Sequence, residues 1–121
     1  MNIHAMPCQD KVDAVMRMQK FIAEHIKDRI TQFQLSRAAG YSEYYAARIF
    51  KEHIGIPPFE YIRRLRLSKA AICLRDEHTR VIDVAFDYVF DSHEGFTRAF
   101  AKEFGITPKA YAKNPRPVKL F

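Results

Sequence analysis

Glycine is scarce, with four residues in a chain of 121. Four are enough for the turns of a small domain but leave none over for a Gly-rich loop of the kind that cradles phosphates. Cysteine is scarcer still. Cys8 and Cys73 stand far apart, with no CxxC pair and no histidine at metal-ligand spacing beside them. A disulfide scaffold is thereby excluded, and a reduced pair of thiols in a cytosolic protein is expected. Long apolar runs are missing too, as nothing approaches the roughly 18 residues of a membrane helix. The opening stretch MNIHAMPCQD is too polar for a signal peptide. Membrane and secreted classes fall away together.

What is present is a chain able to fold. It has the length of one domain, or of two very small ones sharing a core. Hydrophobic residues make up 48% and charged residues 28%, which places it among globular rather than disordered sequences. Lys and Arg number 20 against 14 Asp and Glu, a net charge of +6, and that excess favours an anionic partner. The charge is unevenly spread: residues 43–75 and 92–121 carry +4 each, whereas 76–91 carry −4. Two basic blocks with an acidic one between them suggest two contact surfaces and a segment turned away from the partner.

Helical periodicity dominates, and no stretch alternates with period two. Val12, Val15, Met18, Ile22 and Ile26 form one apolar stripe, so a first amphipathic helix is expected over about 11–26. Thr31 and Gln34 make a capping box for a short second helix, with Ile30 stapled onto Leu35. Ala39-Gly40-Tyr41-Ser42 then turns the chain, and Ser42 caps a third helix ending at Gly55. Pro57-Pro58 opens a long helix to about Arg75. Its apolar residues occupy two faces, Tyr61, Ile62, Leu65 and Ile72 on one and Leu67, Ala70, Ala71 and Leu74 on the other, as in a helix lying between packed units. Short and long helices follow over 81–88 and 92–104, then a last turn capped by Thr107-Pro108. Residues 114–121, rich in proline at first and ending Val118-Lys119-Leu120-Phe121, read as a linker or tail outside the helical pattern, either a disordered terminus or the first strand of a further, effector-binding domain.

The chain repeats itself. Arg48, Phe50, Gly55, Ile56, Pro58 and Tyr61 recur 50 residues later as Arg98, Phe100, Gly105, Ile106, Pro108 and Tyr111. Leu35-Ser36 and Tyr41 recur as Val84-Ala85 and Phe90 at an offset of 49. Each copy is a short helix, a tight turn and a longer helix, the parts of a helix-turn-helix whose second helix enters a DNA major groove. AAGYSEYYAARIFKEHIG (38–55) and VAFDYVFDSHEGFTRAFAKEFGITPKAY (84–111) carry a specific likeness, above all in Phe96-x-Arg98-x-Phe100 followed by Gly105-x-x-Pro108-x-x-Tyr111. On these motifs residues 31–113 resemble the two-helix-turn-helix DNA-binding domain of the AraC/XylS family of bacterial transcription regulators.

The resemblance implies an all-α domain over residues 1–113, with seven helices and two helix-turn-helix subdomains at about 31–55 and 81–105. A long central helix over about 58–75 would bridge them, and a short one over 108–113 would close the domain. It also implies that the two heads read adjacent major grooves on one DNA face. Three departures lie in the second copy: Val89 stands where the family's second turn usually has glycine, Gly95 where a side chain is usual, and Ala112 where a basic residue often follows the tyrosine.

Candidate contacts follow from helical spacing. Tyr44, Ala47, Arg48 and Lys51 share one face of the third helix, opposite Ile49, Phe50 and Ile54. Residues matching Tyr44, Ala47 and Arg48 face bases in similar proteins. Arg48 either grips guanine O6 and N7 or pairs along the helix with Glu52. Lys51 reads as a phosphate contact or a solvated charge. In the second copy Phe96, Ala99, Phe100 and Phe104 face inward, leaving His93, Glu94, Thr97 and Arg98 as the groove face. Glu94 either accepts from cytosine N4 or completes a capping box with Asp91; His93 contacts DNA or simply faces solvent; Arg98 either faces bases as Arg48 does or braces the phosphate backbone, as in such domains. Ser42, Ser92 and Lys102 join Lys51 as phosphate candidates.

Other chemistries find no support. The histidines and cysteines show no zinc spacing, His4 and Cys8 being an isolated pair, and no nucleophile has an activating base. The ten phenylalanines, at helical spacing, read as core. The expectation is a cytoplasmic, sequence-specific DNA-binding regulator of transcription. It needs no metal or cofactor, catalyses nothing, and binds double-stranded DNA as a monomer, with RNA polymerase as a further partner if it activates. The competing reading is a basic helical module that binds an acidic protein.

Overall fold

The computed structural model describes residues 7–121, and over them every regular element is an α-helix. The pairing of His4 with Cys8 lies outside the described residues. Seven helices follow in order: α1 (Pro7–Glu24), α2 (Gln32–Ala39), α3 (Glu43–Ile54), α4 (Pro58–Asp76), α5 (Val81–Asp87), α6 (His93–Phe104) and α7 (Pro108–Lys113). They belong to two compact units, Met1–Ile62 and Arg63–Phe121, and the boundary falls inside α4.

In the first unit α1, α2 and α3 pack on one another. The stripe of α1 buries Ala14, Val15, Met18 and Ile22, and it meets Leu35 and Ala39 of α2 and Ala46, Ile49 and Phe50 of α3 in one core. The helix ends at Glu24, short of the expected Ile26. The reason is local: the amide of His25 is shared between the carbonyls of Phe21 (3.0 Å) and Ile22 (3.2 Å), which tightens the last turn and leads the chain out. Thr31 and Gln34 form the capping box in both directions, at 3.2 and 2.9 Å, and Ile30 is buried as a staple requires. The start of α4 belongs here, with Tyr61 edge-on to Phe50 at 5.2 Å between ring centres.

The second unit is built on aromatic rings. Phe96 and Phe100 of α6 are fully buried; Phe90 lies edge-on to Phe96 (5.0 Å), and Phe104 and Tyr111 flank Phe100 at 4.7 and 5.8 Å. Leu67, Ala70, Ala71 and Leu74 of α4 and Val84 and Ala85 of α5 are buried in the same unit. The reading of all phenylalanines as core does not hold. Phe33, Phe59, Phe86 and Phe121 are 40–57% exposed. Helical spacing identifies a face but not whether a neighbour covers it.

The tail makes contacts of its own with α4. Residues 114–121 hold no regular structure, yet the amide of Phe121 donates to Ser68 Oγ at 2.7 Å, and Ser68 is buried in α4. Arg64, ion-paired with Glu103 of α6 at 3.1 Å, lies over the Phe121 ring at 4.4 Å. A half-apolar tail therefore supplies a donor and a ring that α4 uses.

The turns of the two helix-turn-helix units show why Val89 matters. After α2, Gly40 takes the left-handed conformation (φ 80°), its amide and that of Tyr41 bonding back to the carbonyl of Ser36. A Cβ at Gly40 would meet nothing closer than 3.9 Å, so what requires glycine there is backbone conformation and not space. After α5, Val89 takes φ 66° and Phe90 bonds back to the carbonyl of Ala85 at 3.0 Å. Ala85 and Phe90 are the repeats of Ser36 and Tyr41, so the second turn keeps the left-handed residue and the closing bond of the first, while the amide of Val89 turns to the carbonyl of Phe86 at 3.0 Å and Val89 carries the strain. Among the described residues it alone, apart from glycines, has positive φ.

Left-handed strain costs a branched residue roughly 1–2 kcal/mol, while glycine adds about 0.5–1 kcal/mol of unfolded-chain entropy. Val89→Gly should therefore stabilise the protein by up to about 1 kcal/mol in urea unfolding, whereas Val89→Ala, strained and stripped of its methyls, should destabilise it. Deleting residues 115–121 should lower stability by about 1–2 kcal/mol through loss of the Ser68 bond and the Arg64 stack; an unchanged thermal midpoint would mean that the tail adds nothing.

Candidate nucleic-acid interface

Each reading helix is held at both ends by its own sequence. In α3, Ser42 Oγ accepts the amide of Tyr45 at 3.2 Å; in α6, Ser92 Oγ accepts that of Gly95 at 3.0 Å. Both helices end on a left-handed glycine, Gly55 or Gly105. Ser92, not Asp91, is thus the N-cap of α6. The third helical position falls on Gly95, and Glu94 completes no capping box. A Cβ at position 95 would stand 3.0 Å from Ser92 Oγ, so the glycine allows the shorter of the two caps. A capping serine spends its oxygen lone pair on the helix amide and keeps its hydroxyl proton for a donor bond, so Ser42 and Ser92 remain able to bind a phosphate.

The face expected of α3 is on the outside. Tyr44 is 76% exposed, Arg48 and Lys51 are exposed and Ala47 is half-buried. With Glu52, Pro57 and Pro58 these residues line an open recess of about 470 Å³ on the first unit. The sequence reading did not include Pro57 and Pro58. Their signal was positional: only three residues separate α3 from α4, which brings the first turn of α4 to the edge of that face. Arg48 is not free in this arrangement. Its Nε donates to Glu52 Oε1 at 2.9 Å, and this bond, with the carboxylate charge, raises the guanidinium pKa above its ordinary value. Both side chains are about half exposed, so the pair adds little to stability.

On α6 the groups His93, Glu94, Arg98 and Lys102 are exposed and Thr97 is half-buried, beside the buried Phe96 and Phe100. Arg98 repeats Arg48 by position but has no hydrogen-bond or ion-pair partner among the described residues. Where Glu52 follows Arg48 by four residues, Lys102 follows Arg98. One head therefore presents a neutralised arginine and the other an arginine reinforced by a second cation.

A side chain from α1 steadies the first head. Arg17 donates from Nε to the carbonyl of Ala38 (3.1 Å) and from Nη2 to that of Ala39 (2.7 Å), the last carbonyls of α2 just before the turn. Gln32 Nε2 donates to the carbonyl of Glu43 at 2.8 Å and ties the start of α2 to the first residue of α3. None of these three bonds was legible in the sequence, because each joins side chain to backbone across a turn that periodicity does not describe.

The chain is similar to known proteins over most of its length. A family model described as "Helix-turn-helix domain" matches residues 35–114. Right origin-binding protein of Escherichia coli strain K12 is 35% identical over 106 residues, which is 88% of this chain and 37% of that protein. The chain thus spans little more than a third of that relative's length. The HTH-type transcriptional activator AarP of Providencia stuartii is 34% identical over 91 residues, 75% of this chain and 67% of that one. Among solved structures, the DNA-binding domain of AdpA, a global transcriptional factor, in complex with a target DNA superposes with a TM-score of 0.78 at 22% identity, over 87% of this chain and 99% of that one.

Arg17→Met should cost the first unit about 1–2 kcal/mol, as two carbonyls lose a charged donor, and Arg17→Lys should restore only part of it because one ammonium does not fork. Hydrogen exchange at Tyr41 and Ala46 should speed up in both variants, and unaltered exchange would mean that the turn stands without Arg17.

Proposed function

The chain belongs to the AraC/XylS family of transcription regulators, in which it forms the helix-turn-helix DNA-binding domain, and from that premise we propose that it binds double-stranded DNA sequence-specifically and regulates transcription. The carrying observation is the paired construction. Two copies of one helix-turn-helix each turn the face of a capped helix outward, and each face bears an arginine at the same place, Arg48 and Arg98. Basic donors on an exposed helix preceded by a tight turn suit a major groove. The likeness to a regulator domain solved with its target DNA supports the same reading.

Phosphate neutralisation supplies most of the affinity and makes it salt-dependent. Ser42, Lys51, Ser92 and Lys102 are assigned to the backbone. Tyr44, Ala47 and Arg48 read bases from α3, Arg48 through guanine O6 and N7 and Ala47 through a thymine methyl. From α6, His93, Glu94 and Thr97 face the groove, and Arg98, with no partner to leave, grips the backbone. The protein acts in the bacterial cytoplasm, binds as a monomer through its two heads, and requires no cofactor. Likeness to an activator makes RNA polymerase the fitting protein partner.

Selection of bound sites from a random duplex library tests the reading. A recovered consensus supports it; binding with no preference for any duplex favours a basic protein-interaction module instead. On the selected site Arg48→Ala should weaken binding roughly tenfold to a hundredfold and relax preference at one base pair. Arg98→Ala should weaken selected and random duplexes alike and lower the salt slope by about one. A shift in consensus for Arg98→Ala would make it a base reader.

A further inference from the structure

We propose that Glu52 is a specificity-determining residue of the first reading helix, holding Arg48 for a guanine and withholding it from random phosphates; this rests on the DNA-binding reading above. Three observations lead there. First, Glu52 lines the same recess as Tyr44, Ala47, Arg48 and Lys51, so its carboxylate belongs to the reading face. Second, its bond engages Nε of Arg48, leaving the two terminal nitrogens of the fork for another partner, the set that can meet guanine O6 and N7. Third, the repeat supplies an internal control. The matching position in α6 is Lys102, and that helix has the same length, the same kind of cap and the same terminal glycine. The fold therefore does not ask for a carboxylate at this place.

Local electrostatics disfavour one as well. Glu52 sits in the last turn of α3, where the helix dipole favours cations, and it follows its arginine by four residues, the weaker order for such a pair. A residue unhelpful to its own helix, of the same sign as the DNA partner and bonded to the arginine assigned to a guanine makes sense as a restraint. In random binding it cancels the charge that Arg48 would offer a phosphate. At the correct base pair Arg48 keeps its bond to Glu52 while its fork is filled, so the restraint costs little there and preorganises the guanidinium.

The test compares Glu52→Gln with the unaltered protein by fluorescence anisotropy, on a duplex recovered by selection and on a random-sequence duplex of equal length. Glu52→Gln should fold with unreduced stability and bind the random duplex more tightly, with a salt slope steeper by about one. The ratio of selected to random affinity should fall roughly threefold to tenfold. In an Arg48→Ala background the same substitution should no longer change that ratio. An unchanged ratio in Glu52→Gln overturns the proposal, and so does a fall that persists without Arg48, because Glu52 would then act by its own charge alone. If the unaltered protein shows no preference between the duplexes, the DNA-reading assignment fails and this proposal with it; a specific protein that ignores Glu52→Gln fails the proposal alone.

Discussion

Everything in each head depends on one residue that turns the chain in the left-handed sense between two helices. The short helix must stop, the chain must reverse within a few residues, and the next helix must start at an angle that buries one side and leaves the other in solvent. Gly40 at φ 80° and Val89 at φ 66° do this, and the following amide in each case reaches back to a carbonyl five residues earlier. The exposed face of the reading helix follows from that geometry. Glycine adopts the conformation without cost, while a branched side chain adopts it only where surrounding contacts are worth more than the strain. In the second unit those contacts are aromatic: Tyr88 is buried on one side of Val89, and Phe90 stands against Phe96 on the other.

The two heads solve one architectural problem with different chemistry. The first takes support from outside its own two helices, through Arg17 of α1 on the last carbonyls of α2. The second draws on a ring cluster and on Arg64 of α4, which meets Glu103 of α6 and the ring of Phe121 together. Their outward faces diverge in the same way. On α3 an arginine is bonded to a glutamate; on α6 the corresponding arginine is joined by a lysine. In water such a difference is worth little to folding. Beside a polyanion the two surfaces would present different charge, one arginine already paired and the other doubled.

Much of this was legible in the residues themselves. Period 3.6 marked the helices, capping side chains and terminal glycines marked most of their ends, and the offset of about 50 residues exposed the repeat, because all of these are local rules written on neighbouring positions. The same locality explains what was misread. Ile26 continues the stripe of α1, yet a shared hydrogen bond at His25 ends the helix first. Asp91 looks as suitable a cap as Ser92, and only backbone dihedrals distinguish them: Ser92 is extended and its hydroxyl meets the amide of Gly95.

By itself, the sequence determined the helical class, the duplication, the outward faces of α3 and α6 and the anomaly at Val89. Spacing along a chain is enough to decide which side chains share a face and which turn demands an unusual backbone. Tertiary structure alone decided what lies opposite each face. It set the tail on Ser68, laid Arg17 across the carbonyls of a turn more than twenty residues away, and left Phe33 and Phe86 uncovered. Those outcomes join positions whose separation in sequence carries no period, and whichever competing partner is nearer in the packed state wins.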